Sequence, residues 1–563
     1  MATELDVSLN RIMDALSAPE QPFATVMVER RGQNMPAFRH APPSLAHFFA
    51  HYCAEHRDKP FLVDGDLRLS FGDTWQAARA VAAGLITRHG VTRGQRVAIA
   101  ARNSANWLIA YMGIIMAGGC ATLLNGFWQR EELALGLRLV GASLVLVDET
   151  RRKRLEGADH DAKIISFSHG YAPETGLAEL WGEADSVTLP ELGPDDLATI
   201  LYTSGSTGTS KGALSDHFGV LQGTISYVAQ SAMAFAYLDS KGQAPNLQPC
   251  TLIAIPLFHV TGEIPVFLQS FAIGRKLVLM PRWDAREAMR LMEAEKVTYF
   301  VGVPLMSYEM AAHPDRDKFD LGACITFAAG GAPRPPEHVA RIYEAFPHGF
   351  PILGYGLTET NAVGSGNLNE NYIAKPGSTG PASRPIVAFA ILDDAGNHLP
   401  QGTTGEVSIR TAANFLGYWG DEKATKAAFT ADAFFRTGDL GYLDEDGYLF
   451  IVDRKKDIII RGGENISCIE VEDAIYSHDN IMECTVFAVD DEHYGEVPAA
   501  VYVTRDGTGP EPEELRAYLG KHLAAFKVPV HLWQSRAELL RLGTQKIDKR
   551  AVREQYCKTQ ENR

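Results

Sequence analysis

Residues 197–212 read Leu-Ala-Thr-Ile-Leu-Tyr-Thr-Ser-Gly-Ser-Thr-Gly-Thr-Ser-Lys-Gly. The apolar run 197–202 has the pattern of a buried strand. It delivers a loop of hydroxyl side chains and glycines that closes on Lys211. Glycine permits positive φ and close approach, so backbone N–H groups and hydroxyls in such a loop can reach phosphate oxygens. A Ser/Gly linker has a similar composition but is not normally fused to a core strand or ended by a single Lys-Gly. Nor is the spacing that of a Walker loop. Ser210 stands where the second glycine should be, and Gly212 where a Ser or Thr should be.

Outward from the loop, short apolar strands alternate with amphipathic helical stretches: 96–100, 144–147, 252–255, 276–280 and 325–329. That alternation predicts an α/β fold with parallel sheets covered by helices. Residues 44–90 read as helix, short strands and helix. Strands dominate from 376 to 452, with turns at 393–396 and 444–447, and predict a small antiparallel barrel or sheet. After 453 the pattern changes to helix 468–477, strand 483–489, strand 499–504 and helix 511–524, a compact α+β unit. The expected organisation is a large domain over 1–453, including the β-rich part, and a mobile unit over 454–563. The charged run 453–457 reads equally as a hinge between them or as a solvated turn.

Composition narrows the function. A chain of 563 residues suggests several domains, and a formal net charge of −16 argues against nucleic acid or an anionic membrane as the main partner. Seven scattered cysteines without a Cys-x-x-Cys pair suit neither a zinc site nor a disulfide framework, and fit a cytoplasmic protein. Residues 104–128 carry no charge, but Gly118-Gly119 divides them into a helix-length piece and a strand-length piece. Neither reaches the ~20 apolar residues of a membrane span.

Four further stretches follow the loop: Pro256-Leu-Phe-His-Val-Thr-Gly262, Gly354-Tyr-Gly-Leu-Thr-Glu-Thr360, Phe435-Arg-Thr-Gly-Asp439 with Asp453-Arg454, and Arg461-Gly-Gly-Glu-Asn-Ile-Ser467. In this order and spacing, from about residue 44 to 551, the chain resembles the adenylate-forming superfamily of acyl-CoA synthetases, luciferases and adenylation domains. The stretch 123–128 with Phe-His-Val-Thr-Gly is most similar to bacterial fatty-acyl-CoA synthetases. The resemblance implies a two-step reaction: a carboxylate and ATP give acyl-AMP and pyrophosphate, then a thiol displaces AMP. ATP, Mg²⁺ and coenzyme A are the implied co-substrates. Phosphoryl transfer of this kind rests on positioning and charge, which Ser, Thr, Lys and a metal supply.

The same resemblance implies the site. Thr203, Ser204, Gly205, Ser206, Thr207, Gly208 and Lys211 would hold the β- and γ-phosphates. Gly330, Gly331 and Ala332 would face Tyr355 across the adenine, Gly356 would follow Tyr355 in the ATP site, and Thr358 would contact phosphate. Glu359 would bind Mg²⁺, a hard cation that favours carboxylate and phosphate oxygens. Asp439 and Arg454 would hold the ribose. Lys546 matches the catalytic lysine, although Gln545 replaces the usual glycine before it and Lys549 lies close by. Lys456 and Asp457 match the hinge, and Gly462, Gly463, Glu464 and Lys527 would meet coenzyme A. The acyl pocket would be lined by His259, Val260, Thr261, Val303, Met306, Ser307, Ala328, Gly330 and Gly354, with His259 also catalytic.

His259 stands where amino-acid-adenylating relatives carry Asp, which excludes an amino acid. No Arg or Lys falls in this lining, so an apolar monocarboxylic acid is expected, at best a medium- or long-chain fatty acid. Arylpropenoate or steroid side-chain ligation, carrier-protein loading and a non-catalytic binder are the alternatives. Glu263 is out of place in this neighbourhood and is expected either to face solvent or to meet a hydroxylated substrate. A homodimer remains open.

Overall fold

The computed structural model describes residues 3–203, 210–331, 334–505, 507–542 and 546–561. Two helix-covered sheets form the bulk of the molecule. The first has seven strands, five of them running parallel at its heart: Leu197–Thr203, Cys120–Leu123, Arg96–Ala100, Leu144–Val147 and Lys163–Ser166. Strand Lys211–Asp216 returns antiparallel to Leu197–Thr203, pairing Lys211 with Thr203, and the short segment Gly417–Tyr418 closes that edge. The strand that presents the hydroxyl-rich loop therefore sits inside a sheet, as its apolar sequence requires.

The second sheet has eight strands, with Pro60–Asp64, Lys276–Leu279, Cys250–Ile253, Tyr299–Gly302, Thr326–Gly330 and Phe350–Gly356 all parallel. The carboxyl ends of these strands gather Pro256-Leu257, Val303, Gly330-Gly331 and Gly354–Gly356 at one rim. Ligands bind at such rims in open α/β sheets.

Helix Ala105–Met116 is buried on every side, with Trp107 and Tyr111 stacked at 5.9 Å. This explains the uncharged stretch there: it is core, and among the described residues no helix is long and apolar enough to cross a membrane. Side chains of Ser44, Ser70, Ser104, Asp148 and Asp216 cap helices. Each such cap contributes about 1 kcal/mol.

The β-rich part folds as an open four-stranded antiparallel sheet running Val387–Leu392, Gly405–Thr411, Phe435–Leu443, Leu449–Arg454, which settles the choice between barrel and sheet. Beyond it a five-stranded sheet, with Gly495–Thr504 at its centre and Ile481–Asp491 along one edge, packs on helices Cys468–Tyr476 and Pro512–Leu519 around its own core of Val471, Tyr502 and Leu515.

Two features lie outside the sequence reading. A long helix, His217–Ser240, follows strand Lys211–Asp216, and a loop begins only at 241. Before residue 44, a helix Glu4–Leu16 and a hairpin pairing Thr25–Arg30 with Gln33–Phe38 pack onto that long helix and the β-rich sheet.

Candidate active site

The rim of the second sheet, the edge of the β-rich sheet and a C-terminal hairpin meet around one cluster of charged side chains. Strand Phe350–Gly356 delivers Tyr355, whose hydroxyl donates to Asp439 Oδ2 at 2.7 Å. Asp439 stands opposite Arg454 in the strand register, and Arg454 Nε lies 3.2 Å from Asp439 Oδ1. Burial raises the Asp439 carboxyl above the usual range, while Arg454 and Tyr355 act in the opposite sense.

A short helical turn, Thr358–Thr360, follows Tyr355 and buries Glu359. The Glu359 Oε1 atom accepts a 2.8 Å hydrogen bond from the Tyr418 hydroxyl. The same tyrosine ring lies 4.8 Å from Lys211 Nζ, which is also 3.7 Å from Asp421. One aromatic thus touches both the lysine that closes the hydroxyl-rich loop and the carboxylate expected to meet a metal. Neither Tyr418 nor Asp421 was anticipated from sequence. The signal available was the turn-like Gly417-Tyr-Trp-Gly420.

Lys546 comes from the far end of the chain. Its hairpin is pinned by Leu542 N–H donating to Lys546 O at 2.8 Å, by a bridge between Arg541 and Ile547, and by the Arg541–Glu483 ion pair. Gly331 has φ +77°, and a Cβ placed there would lie 3.3 Å from Lys546 Nζ and 3.9 Å from His259 Cε1. The lysine therefore reaches across the glycine turn to the histidine. Burial and the neighbouring Arg454 lower its pKa to about 8, against the pull of Asp439.

His259 is held neutral. Burial and Lys546 push it down to about 3. Its Nδ1 accepts from the Thr261 N–H at 3.2 Å, which leaves the proton on Nε2. Lys549, by contrast, is bound within its own unit, 2.8 Å from Glu472. Of the two lysines, it is Lys546 that borders Gly331 and His259; Gln545 lies outside the described residues.

The structure thus brings Thr203, Lys211, His259, Gly330, Gly331, Tyr355, Gly356, Thr358, Glu359, Asp439, Arg454 and Lys546 into one neighbourhood. Ser204, Gly205, Ser206, Thr207, Gly208 and Ala332 lie outside the described residues. Of the acyl lining, Val260, Thr261, Ala328 and Gly354 stay on the face that adjoins Gly330. Met306 and Ser307 do not. Met306 packs with Phe300 and Phe327 on the opposite face of the sheet, where Val303 also makes its apolar contacts, and Ser307 donates to Pro304 O at 3.1 Å. Their helix, Pro304–Ala312, turns away from the rim.

Glu263 does not face solvent, and its Oε2 is buried without a hydrogen-bond partner. It is 1% exposed in a π-helical stretch, Gly262–Leu268, and accepts from Tyr111 at 2.7 Å. The groups expected to meet coenzyme A lie apart from the cluster. Gly462 and Gly463, at φ +58° and +93°, turn an exposed hairpin, Glu464 is exposed beside them, and Lys527 is paired with Glu470 at 2.6 Å.

The donor set suits a nucleotide with its metal. Among the described residues no group of three or more metal-ligating side chains forms. A single buried carboxylate, Glu359, is what Mg²⁺ takes when phosphates and water supply its remaining positions.

Residues 49–419 match the family model described as AMP-binding enzyme, and 470–541 match its C-terminal domain. The chain belongs to the AMP-binding enzyme family. A long-chain-fatty-acid–CoA ligase of Bacillus subtilis is 30% identical, covering 89% of this chain and 92% of its own. A feruloyl-CoA synthase from an Amycolatopsis species is 32% identical, over 87% and 95% respectively. Among solved structures, o-succinylbenzoate coenzyme A synthetase from Bacillus subtilis, in complex with ATP and a magnesium ion, superposes with a TM-score of 0.76 at 25% identity. It covers 91% of this chain and 99% of that one. This member of the AMP-binding family is an AMP-forming acid–CoA ligase, with ATP, Mg²⁺ and coenzyme A as co-substrates.

Proposed function

We propose that this ligase activates an acid with a long apolar chain, a medium- or long-chain fatty acid, in a reducing cytoplasm where its seven cysteines stay free. The observation that carries the reading is the seat of Lys546 over Gly331 and against His259, at the mouth of an apolar sheet face. There the ammonium would neutralise charge shared by the attacking carboxylate and the α-phosphate as the acyl-AMP forms. The Nε2–H of neutral His259 would hold the carboxylate oxygen. Tyr355 and Gly330-Gly331 would enclose the adenine, and Asp439 with Arg454 would take the ribose hydroxyls. Lys211 and the hydroxyl-rich loop would bind the outer phosphates. Glu359 would hold Mg²⁺, which neutralises phosphate charge when bound.

For the second step, the unit after Asp453 would turn about Lys456-Asp457, replacing Lys546 by the Gly462-Gly463-Glu464 hairpin. Apolar burial supports a long chain, at roughly 0.8 kcal/mol per methylene. A feruloyl-CoA synthase among the relatives supports an arylpropenoate as the second reading. The test is coenzyme-A-dependent AMP release over saturated acids of graded length and over arylpropenoates. A rise in kcat/KM with chain length supports the fatty acid, and a preference for arylpropenoates overturns it.

A further inference from the structure

Strand register shows where an acyl chain would run and what it would meet. Tyr299 pairs Thr326, Ala328 pairs Ile352, and Gly330 pairs Gly354, so these six share one face of the second sheet. That face packs against the π-helical stretch through Ile264 and Phe267, with Tyr227 of the long helix alongside. The face is not filled at the Lys546 end. A Cβ on Gly354 or on its partner Gly366 would meet nothing within 4 Å. Thr326, Ile352, Tyr299 and Tyr227 keep partial exposure although they lie between a sheet and a helix layer. From Gly330 to Thr326 is four residues, about 13 Å of strand.

At the far end of this face stands Arg275, one residue before strand Lys276–Leu279 and only 4% exposed. Its Nη1 donates to Pro265 O at 3.2 Å and its Nη2 to Gln269 Oε1 at 3.1 Å, while its guanidinium stacks 4.9 Å from the Tyr299 ring centre. Its Nε, fully buried, has no partner. On the strand between Tyr299 and Arg275, the Thr251 hydroxyl is also buried without a partner. Among the described residues no carboxylate opposes the charge. The only favourable influences on it are Tyr299 and Cys250, and burial lowers its pKa to about 10. Two hydrogen bonds to neutral carbonyls require a donor and not a charge. A buried cation without a counter-ion is costly, and the cost falls away when an anion arrives.

We infer that Arg275, with Tyr299 and Thr251, forms a distal subsite for an oxygen acceptor, foremost a second carboxylate, at the far end of the acyl chain. This deepens the fatty-acid reading and rests on it: the ~13 Å span from Gly330 to Thr326 alone takes about ten carbons, and Arg275 enters from a strand three positions across the sheet, so the substrate is a chain longer than that. Such a chain carries oxygen at both ends.

The experiment compares plain, ω-hydroxy and α,ω-dicarboxylic acids of matched length, by pyrophosphate exchange, in the wild-type enzyme and in Arg275→Met and Arg275→Lys. The wild type should favour the dicarboxylate over the plain acid by at least tenfold in kcat/KM. In Arg275→Met that ratio should fall on the order of 100-fold, mostly through the KM of the dicarboxylate, and Arg275→Lys should restore part of it. A preference for the ω-hydroxy acid would keep the subsite and change the group it takes. A wild-type preference for the plain acid, or an equal loss on both acids in Arg275→Met, overturns the inference. Calorimetric binding of the dicarboxylate and the plain acid to wild-type protein without ATP provides a check that no variant's folding can obscure. Tighter binding of the plain acid also overturns it. If no acid is adenylated yet the dicarboxylate binds more tightly, the function reading fails and the subsite stands.

Discussion

Lys546 and Lys549 lie three residues apart and do different things, which their surroundings decide. Lys546 borders Gly331, as does His259, whereas the partly exposed Lys549 pairs with Glu472 inside the C-terminal unit. Lys546→Ala should lower acyl-AMP formation by two or more orders of magnitude, roughly 3 kcal/mol of transition-state stabilisation. Given preformed acyl-AMP, it should still make thioester. Lys549→Ala should instead leave the half-buried Glu472 without its cation, held by the Val486 N–H, and lower the melting temperature; if it abolished adenylation alone, the assignment of Lys546 would fail. A pH dependence follows from the same lysine. Its pKa in the free enzyme is about 8, below the ordinary lysine value, so the ammonium is lost as pH rises through that point. The kcat/KM for adenylation should fall on the alkaline side with a midpoint near that value, and the limb should vanish in Lys546→Ala. His259, neutral at every pH above about 3, should contribute no limb near neutrality. Arg275 was illegible in the sequence for a geometric reason. The expected lining was drawn from residues at the carboxyl ends of strands, and Arg275 enters the same face from the opposite end.

At the scale of elements, the edge segment Gly417–Tyr418 matters beyond its two residues. Pairing Tyr418 with Ala213 puts its ring beside Lys211 and its hydroxyl on Glu359, so a sheet edge sets the distance between the phosphate lysine and the metal carboxylate. Tyr418→Phe keeps the ring and removes the hydrogen bond, worth about 1 kcal/mol. The Mg²⁺ concentration for half-maximal adenylation should rise several-fold, and Mn²⁺ bound with a non-hydrolysable ATP analogue should show a weakened affinity by electron paramagnetic resonance. Unchanged Mg²⁺ dependence would remove Tyr418 from that role. The strands at 96–100, 144–147, 197–202, 252–255, 276–280 and 325–329 were readable because each is a short apolar run, whereas Lys163–Ser166, Lys211–Asp216 and Tyr299–Gly302 of the same sheets were not picked out. The placement of Met306 and Ser307 was not: a helix that starts with Pro304 at the rim can present its side chains to either face of the sheet, and local sequence does not choose. Glu263 was opaque for a related reason, since only the fold brings Tyr111 to it from 152 residues away.

Across the whole molecule, two long-range couplings carry separate burdens. The N-terminal helix is tied down by Asp6, whose Oδ1 accepts from Asn371 at 2.9 Å and from Tyr448 at 2.8 Å. Tyr448→Phe should therefore lower stability by about 1–3 kcal/mol, read by denaturant unfolding, without altering substrate preference. The second coupling is between the two ends of the catalytic cycle. In the present arrangement Lys546 lies beside Gly331 while the Gly462-Gly463 turn is exposed elsewhere, which under the proposed roles is the geometry of adenylation and not of thioester formation. The segment joining the two units leaves strand Leu449–Arg454 and turns at once, with Asp457 N–H donating to Arg454 O at 2.9 Å. Proline fixes φ and at 457 would also delete that bond. Lys456→Pro and Asp457→Pro should therefore spare acyl-AMP formation, because Lys546 is already seated, and should slow thioester formation from preformed acyl-AMP by at least tenfold, because the exchange of faces is hindered. Rapid-quench measurement of each half-reaction separates the two. Equal loss in both steps would mean that the substitutions damage the site itself, and loss of adenylation alone would place the pivot outside 456–457.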